Sequence, residues 1–370
     1  MTDPSARRES LRRLLADEAA PTLLVTSGSN VTYLTGFTGD SSYLLVDPAG
    51  AVLVSDPRFT EQIADECPGL DVAIRPSSSV PMRTAVADVV AARGLARVGV
   101  ERSLTLGVRD DLLRGFADAK RACELVPLPP LVEKLRTIKD EAEIAEIRRA
   151  VRLAEAAFTS VTALLRRDLS ERMIAADLEH AIRRLGGVGC AFPAIVAAGP
   201  RSSLPHARAT DRKVGDDQLL LIDWGAQATL YRSDLTRTIA LTDRLDDRLA
   251  RAWDTVAKAK DAAIAAIRPG ALCKDVDQVA RRIIDDAGFA GLFGHGLGHA
   301  IGLDVHESAR FSPISEDVLA PGMVLTVEPG VYQPGLGGIR LEEDVLVTED
   351  GCEVLSSLPS DRASMTRRID

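Results

Sequence analysis

Leu219-Leu220-Leu221-Ile222-Asp223-Trp224-Gly225, followed by Leu230-Tyr231-Arg232-Ser233-Asp234-Leu235-Thr236, is the stretch on which the reading of this chain turns. A wholly apolar run ending on Asp reads as a buried strand. A carboxylate in that setting is costly unless something compensates it. The second run follows closely enough to fold back as a hairpin. Opposed residues of a hairpin share a constant index sum, and pairing Asp223 with Asp234 centres the turn at residues 228–229. Their Cβ atoms would then stand roughly 5 Å apart. Like charges at that distance repel, and one carboxyl takes up a proton unless a cation lies between them. Carboxylate oxygens suit Mn²⁺, Mg²⁺ or a mixed N/O metal. The plainer alternative is a capped turn with surface ion pairs to Arg232 or Arg237.

Phe293-Gly294-His295-Gly296-Leu297-Gly298-His299-Ala300-Ile301-Gly302-Leu303-Asp304-Val305-His306-Glu307 is the second informative stretch. The chain has only five histidines, and three of them fall here, which favours function over a lone core imidazole. The glycines let backbone approach a site closely. The spacing is not G-x-G-x-x-G, and no Lys-Ser/Thr pair follows, so a phosphate loop is excluded. Glu328 lies in Leu325-Thr326-Val327-Glu328-Pro329-Gly330, at the end of an apolar strand. Glu342 lies in Ile339-Arg340-Leu341-Glu342-Glu343-Asp344. Taken singly, each could be a solvated edge charge. Together Asp223, Asp234, His299, Glu328 and Glu342 suit a hydrolytic site with two metals about 3.5–4 Å apart. No cysteine lies near them in sequence, which disfavours structural zinc.

Working outward, 370 residues suggest about two domains. The first 130 residues alternate helix and strand, with a hairpin at Asp47-Pro48-Ala49-Gly50. Ser5–Asp17 reads as an amphipathic helix with a solvated basic face. Pro127, Pro129 and Pro130 mark a boundary. From residue 138 onward, long helices alternate with strand pairs. Asp140 and Glu143 form a capping-box pattern. Helices are expected over Ser170–Arg184, Leu245–Ile267 and Val276–Ala287, and strands over Leu230–Leu241 and Val324–Val331. The fold class is α+β. With 45 basic against 54 acidic residues, the net charge of −9 argues against nucleic acid as a partner. No apolar run reaches the ~18–20 residues of a membrane helix. Five scattered cysteines, an odd number, and no recognisable signal peptide favour the cytoplasm.

The order Asp, Asp, His, Glu, Glu resembles the "pita-bread" metallopeptidases, which include methionine aminopeptidase, aminopeptidase P and prolidase. Ile222–Gly225, Ser233–Arg237, Gly298–Glu307, Val327–Gly330 and Ile339–Glu342 carry the likeness. Asn30–Gly39 and Asp56–Phe59 resemble the creatinase-like N-terminal domain of the proline-specific branch. The resemblance implies a creatinase-like domain over residues 1–130 and, over 138–370, a catalytic domain with a curved antiparallel sheet flanked by helices. It implies two divalent ions per subunit, Mn²⁺ first, with Co²⁺ or Zn²⁺ as alternatives. Asp223 would chelate one metal, Asp234 and Glu342 would bridge, and His299 and Glu328 would complete the other shell. Glu328 would also serve as general base. His206 and His306 would bind the substrate carbonyl, and His295 and Arg340 would line the proline side, Arg340 meeting a carboxylate or carbonyl. The implied activity is removal of the first residue from Xaa-Pro peptides, with the Xaa-Pro dipeptidase as alternative. A metal-free amidinohydrolase or a binding protein on the same fold is more remote. A cytoplasmic homodimer is implied as well.

Overall fold

The computed structural model describes residues 3–369. The chain divides into two compact units, Met1–Arg136 and Thr137–Asp370. In the first, α1 (Pro4–Leu15) precedes β1 (Leu23–Val25), α2 (Gly28–Thr35), β2 (Tyr43–Asp47) and β3 (Gly50–Ser55). Then come α3 (Thr60–Glu66), β4 (Asp71–Ile74), α4 (Met82–Ala92), β5 (Arg97–Glu101), α5 (Leu106–Asp118), β6 (Glu124–Leu128) and α6 (Leu131–Thr137). The six strands form one mixed sheet in the order β4-β3-β2-β1-β5-β6. The expected hairpin is present: Asp47 Oδ1 accepts the N–H groups of Ala49 and Gly50. The basic face of α1 is only partly solvated. Arg7 is buried over the Tyr33 ring and donates to Tyr33 O, and Arg8 donates to Leu34 O. Long guanidinium stems reach the free carbonyls of the last turn of α2, so two of the arginines pack inward.

The second unit opens with α7 (Glu141–Thr162). Asp140 accepts from the N–H of Glu143, whose carboxylate reaches back to the N–H of Asp140, so the capping box forms. α8 (Glu171–Arg184) is capped by Ser170. β7 (Gly189–Cys190), β8 (Ile195–Ala198), β9 (Leu219–Trp224), β10 (Ala226–Gln227) and β11 (Leu235–Ala240) follow. After them come α9 (Asp247–Ala266), α10 (Cys273–Ile284), β12 (Gly298–Ala300), β13 (Glu307–Phe311), β14 (Val324–Val327), β15 (Gly330–Gln333), β16 (Gly337–Arg340), β17 (Glu343–Val347) and β18 (Cys352–Val354). All the pairings of named strands here are antiparallel. β11-β9-β8 form one sheet, β13-β12-β14-β17-β18 another, and β15-β16 and β10-β7 are two-stranded. β9 is buried along its whole length, which is why its sequence is continuously apolar. Trp224 stacks on Phe158 of α7 at 4.4 Å and donates its indole N–H to Ala154 O.

Three expectations need correction. Asp223 pairs with Thr236, not with Asp234, so the index sum is 459 and not 457. The ladder continues through Ala228 and Tyr231, which places the turn at Thr229-Leu230. A shift of two keeps both carboxylates on one face but makes them diagonal neighbours. Of Leu230–Leu241, only Leu235–Ala240 is regular strand, and residues 231–234 continue the pairing irregularly, Arg232 bridging Gln227. Val324–Val331 is also two strands, because Pro329 has no N–H to continue the ladder.

Candidate metal centre

The five predicted ligand residues reach one place from strand ends. Asp223 closes β9, Asp234 precedes β11, His299 sits in β12, Glu328 follows β14, and Glu342 lies between β16 and β17. With His206, His295, His306 and Arg340 they line a single cavity of about 800 Å³. Asp234, His299 and Glu342 each offer a ligand atom within 4.8 Å of the others. His299 Nε2 stands 3.7 Å from Asp234 Oδ2 and 3.5 Å from Glu328 Oε1.

The acids are held by dedicated partners. Thr236 Oγ1 donates to Glu342 Oε2 at 2.6 Å and accepts from Arg340 Nε at 3.1 Å. The main-chain N–H of Asp234 donates to Asp344 Oδ2. Arg340 Nη2 donates to Asp223 Oδ2 at 2.5 Å, so the arginine partner of Asp223 is neither Arg232 nor Arg237. Arg237 is fully buried and turns instead to Glu343, which also receives Lys260 and Ser356. The same guanidinium donates to the carbonyls of Glu342, Leu358 and Pro359. It thereby ties the C-terminal segment to the strand edge that carries Glu342.

Burial pushes the carboxyls of Asp223, Asp234 and Glu342 up, and that of Glu328 up to about 8. For Asp234 and Glu342 the neighbouring carboxylates add to the rise. Burial drives His299 the other way, down to about 3. His299 Nδ1 faces Ala300 O, which can only accept, so the proton belongs on Nδ1 and the Nε2 lone pair points at the carboxylates. Among the described residues, Asp223 Oδ1 is buried without a hydrogen-bond partner. A neutral imidazole, clustered acids and an orphaned carboxylate oxygen fit divalent metal, whose charge reverses the rise of the acids.

Arg340 has 2% of its surface exposed. Besides Asp223 and Thr236 it donates to Pro205 O and to the Tyr332 hydroxyl. Most of its donors are thus spent inside the chain. Tyr332 OH also meets His295 Nε2 at 2.8 Å, and His295 Nδ1 meets Gly296 O. His295 is neutral, burial pulling its pKa down to about 4. Its glycine-rich segment is clasped from α10. Asp277 and Arg281 pair bidentately, Arg281 donates to Phe293 O and His295 O, and Asp277 accepts from the N–H of Leu297. His206 and His306 are exposed, and the His306 ring lies 4.3 Å from that of His299.

Sequence reasoning missed Tyr332, the Asp277–Arg281 clasp and Arg310. Arg310 lines the cavity near His306, and among the described residues its guanidinium has no hydrogen-bond or ion-pair partner. In Glu307-Ser308-Ala309-Arg310-Phe311 it alternates like any outward strand residue, so no local signal marks it.

The profile of metallopeptidase family M24 matches residues 145–349, and that of the creatinase/prolidase N-terminal domain matches 7–138. The chain belongs to family M24, a family of enzymes with two metal ions at the active site. It is 31% identical to an Xaa-Pro dipeptidase of Pyrococcus furiosus over 351 residues, covering 95% of this chain and 97% of that protein. Among solved structures, an Xaa-Pro dipeptidase from Bacillus anthracis superposes with a TM-score of 0.92 at 31% identity, over 99% of this chain and 100% of that one. An X-Pro aminopeptidase from Thermotoga maritima gives 0.86 at 31% identity, over 96% and 99%. Among the described residues no helix is long and apolar enough to cross a membrane.

Proposed function

We propose that this chain is an Xaa-Pro dipeptidase working with two divalent ions held by Asp223, Asp234, His299, Glu328 and Glu342. The observation that carries the choice is Arg310. A guanidinium on the wall of the metal-site cavity, unpartnered among the described residues, suits a free carboxylate, which a dipeptide presents directly on its proline. Two of the similar proteins named above are Xaa-Pro dipeptidases, which also favours the dipeptide over the longer peptides of an aminopeptidase. Arg340 is then the partner that orients Asp223.

Divalent ions in such a site lower the pKa of a water and polarise a carbonyl. Glu328 accepts the proton of the attacking water and returns it to the proline nitrogen, which has no N–H of its own in the intact bond. His206 and His306 donate to the substrate carbonyl oxygen as charge develops on it. Tyr332 and His295 bound the proline ring. Mn²⁺ is the first candidate metal, and the working form is a cytoplasmic homodimer. Light scattering that found a fully active monomer would remove the dimer.

The deciding comparison offers Mn²⁺-reloaded enzyme Ala-Pro, Ala-Pro amide and Ala-Pro-Ala. Ala-Pro should be cleaved fastest. Arg310→Ala should raise KM for Ala-Pro about tenfold or more, the worth of one charged hydrogen bond. Faster tripeptide cleavage would restore the aminopeptidase reading. Cleavage of none would favour an amidinohydrolase or a binding protein.

A further inference from the structure

Lys139 and Glu307 form a buried ion pair that the chemistry above does not use. Their exposures are 4% and 9%, and Lys139 Nζ donates to Glu307 Oε2 at 2.9 Å. Buried pairs of this kind often add little to stability, because desolvation offsets the attraction. What this pair does is geometric. Glu307 Oε1 accepts the main-chain N–H groups of Leu303 at 3.0 Å and Asp304 at 3.4 Å. Those residues belong to the irregular segment between β12 and β13 that ends in His306. Gly302 leaves room for the carboxylate, since a Cβ there would lie 2.7 Å from Glu307 Oε1. Lys139 is itself fixed, its N–H donating to Gly322 O at 2.9 Å. His306 has no such anchor of its own. Among the described residues its ring makes no hydrogen bond, and only the contact with His299 and the course of its backbone orient it.

We propose that Glu307, held by Lys139, is a positioning residue that pins the 302–306 loop and so sets where the His306 ring meets the substrate carbonyl. The inference rests on the reading of His306 as a donor in Xaa-Pro hydrolysis. A misplacement of this kind falls on the transition state, where a shift of about 1 Å can cost up to ~100-fold. It should therefore lower kcat while leaving KM nearly unchanged.

The test is a cycle on Ala-Pro. Lys139→Met should lower kcat about tenfold or more, with KM held within about twofold. In a His306→Ala background the same change should alter kcat by less than about twofold, because the residue it acts through is gone. An equal loss in both backgrounds, or none in the first, would overturn the proposal. Should Lys139→Met fail to fold, two double variants decide. Lys139→Met with Glu307→Gln keeps the acceptor for Leu303 and Asp304, whereas Lys139→Met with Glu307→Leu removes it. The first should retain kcat and the second lose it, and equal activities would refute the assignment. Amide hydrogen exchange separates this outcome from the enzymatic one. Lys139→Met should speed exchange at Leu303 and Asp304 and leave β9 unchanged. Unaltered exchange there sinks the proposal even if the wild type cleaves no Xaa-Pro bond, a result that would count only against the dipeptidase reading.

Discussion

Asp223 and Asp234 are one diagonal step apart, yet they meet burial differently. Among the described residues, Asp223 shares one oxygen with Arg340 and leaves the other without a partner, while Asp234 faces Asp223 and Glu342 with no arginine of its own. Removing the Asp234 charge should act oppositely on stability and on turnover. Asp234→Asn should melt higher than wild type when both are stripped with chelator at pH 7, since a neutral amide avoids the cost of burying either a crowded charge or a proton taken up to remove it. Its metal-dependent kcat should fall by more than the ~100-fold that outer-shell partners are worth. Unchanged turnover with metal would refute the ligand assignment. His295 gives a pH signature. Burial holds it neutral, with a folded pKa of about 4 against 6.5 when unfolded. Below pH 6.5 the unfolded chain takes up the proton first, so stability falls as pH drops from 6.5 towards 4. The span is worth on the order of 3 kcal/mol. Chelated wild type and His295→Gln, melted across pH 4–8, should diverge only inside that window.

The β9–β11 hairpin shows how an element reads clearly in kind and poorly in detail. Its existence was legible from the apolar run of β9 and the return at Leu235. Its register was not, because Thr229-Leu230 carries no Gly, Asn or Pro to mark a turn. The close approach at Gly225 gives the hairpin a tight point: a Cβ there would lie 1.8 Å from Ser233 O. Gly225→Ala should cost about 3 kcal/mol or more in urea unfolding, since backbone rather than a flexible side chain must move. The helices were read more faithfully, α7 above all, because its capping box is a local signal. The α10 clasp is an element-scale device as well. Arg281→Met should free the segment around His295 and lower the preference for Ala-Pro over Ala-Ala, and it should also lower the melting temperature by leaving the buried Asp277 carboxylate without its arginine. An unaltered preference would show that the clasp does not shape the proline side.

Across the molecule, the five candidate ligands come from five segments between residues 223 and 342, and the cavity wall reaches back to His206. These candidate ligands were legible because a charged residue in an apolar strand stands out wherever it occurs. Arg310 and Tyr332 were not. One alternates like a solvent-facing residue and the other like a core aromatic, and only the assembled cavity distinguishes them. That assembly makes metal and protons compete. Burial raises the pKa of all the site's acids, and Glu328, pushed up to about 8, holds a proton at neutral pH until a cation displaces it. Mn²⁺ titrated into stripped protein should release protons, seen as a calorimetric enthalpy that differs between Tris and phosphate at pH 7. Identical enthalpies would mean the acids are already ionised.

Arg237 reaches past its own strand to the carbonyls of Leu358 and Pro359, while Trp253 and Lys260 hold Ser360. The last stretch of chain is therefore a brace on the far side of the strands that present Asp234 and Glu342. A preparation nicked by carboxypeptidase back beyond Leu358 would keep every candidate ligand and should still age into a poor metal binder, so intact mass is worth checking before any batch is judged inactive.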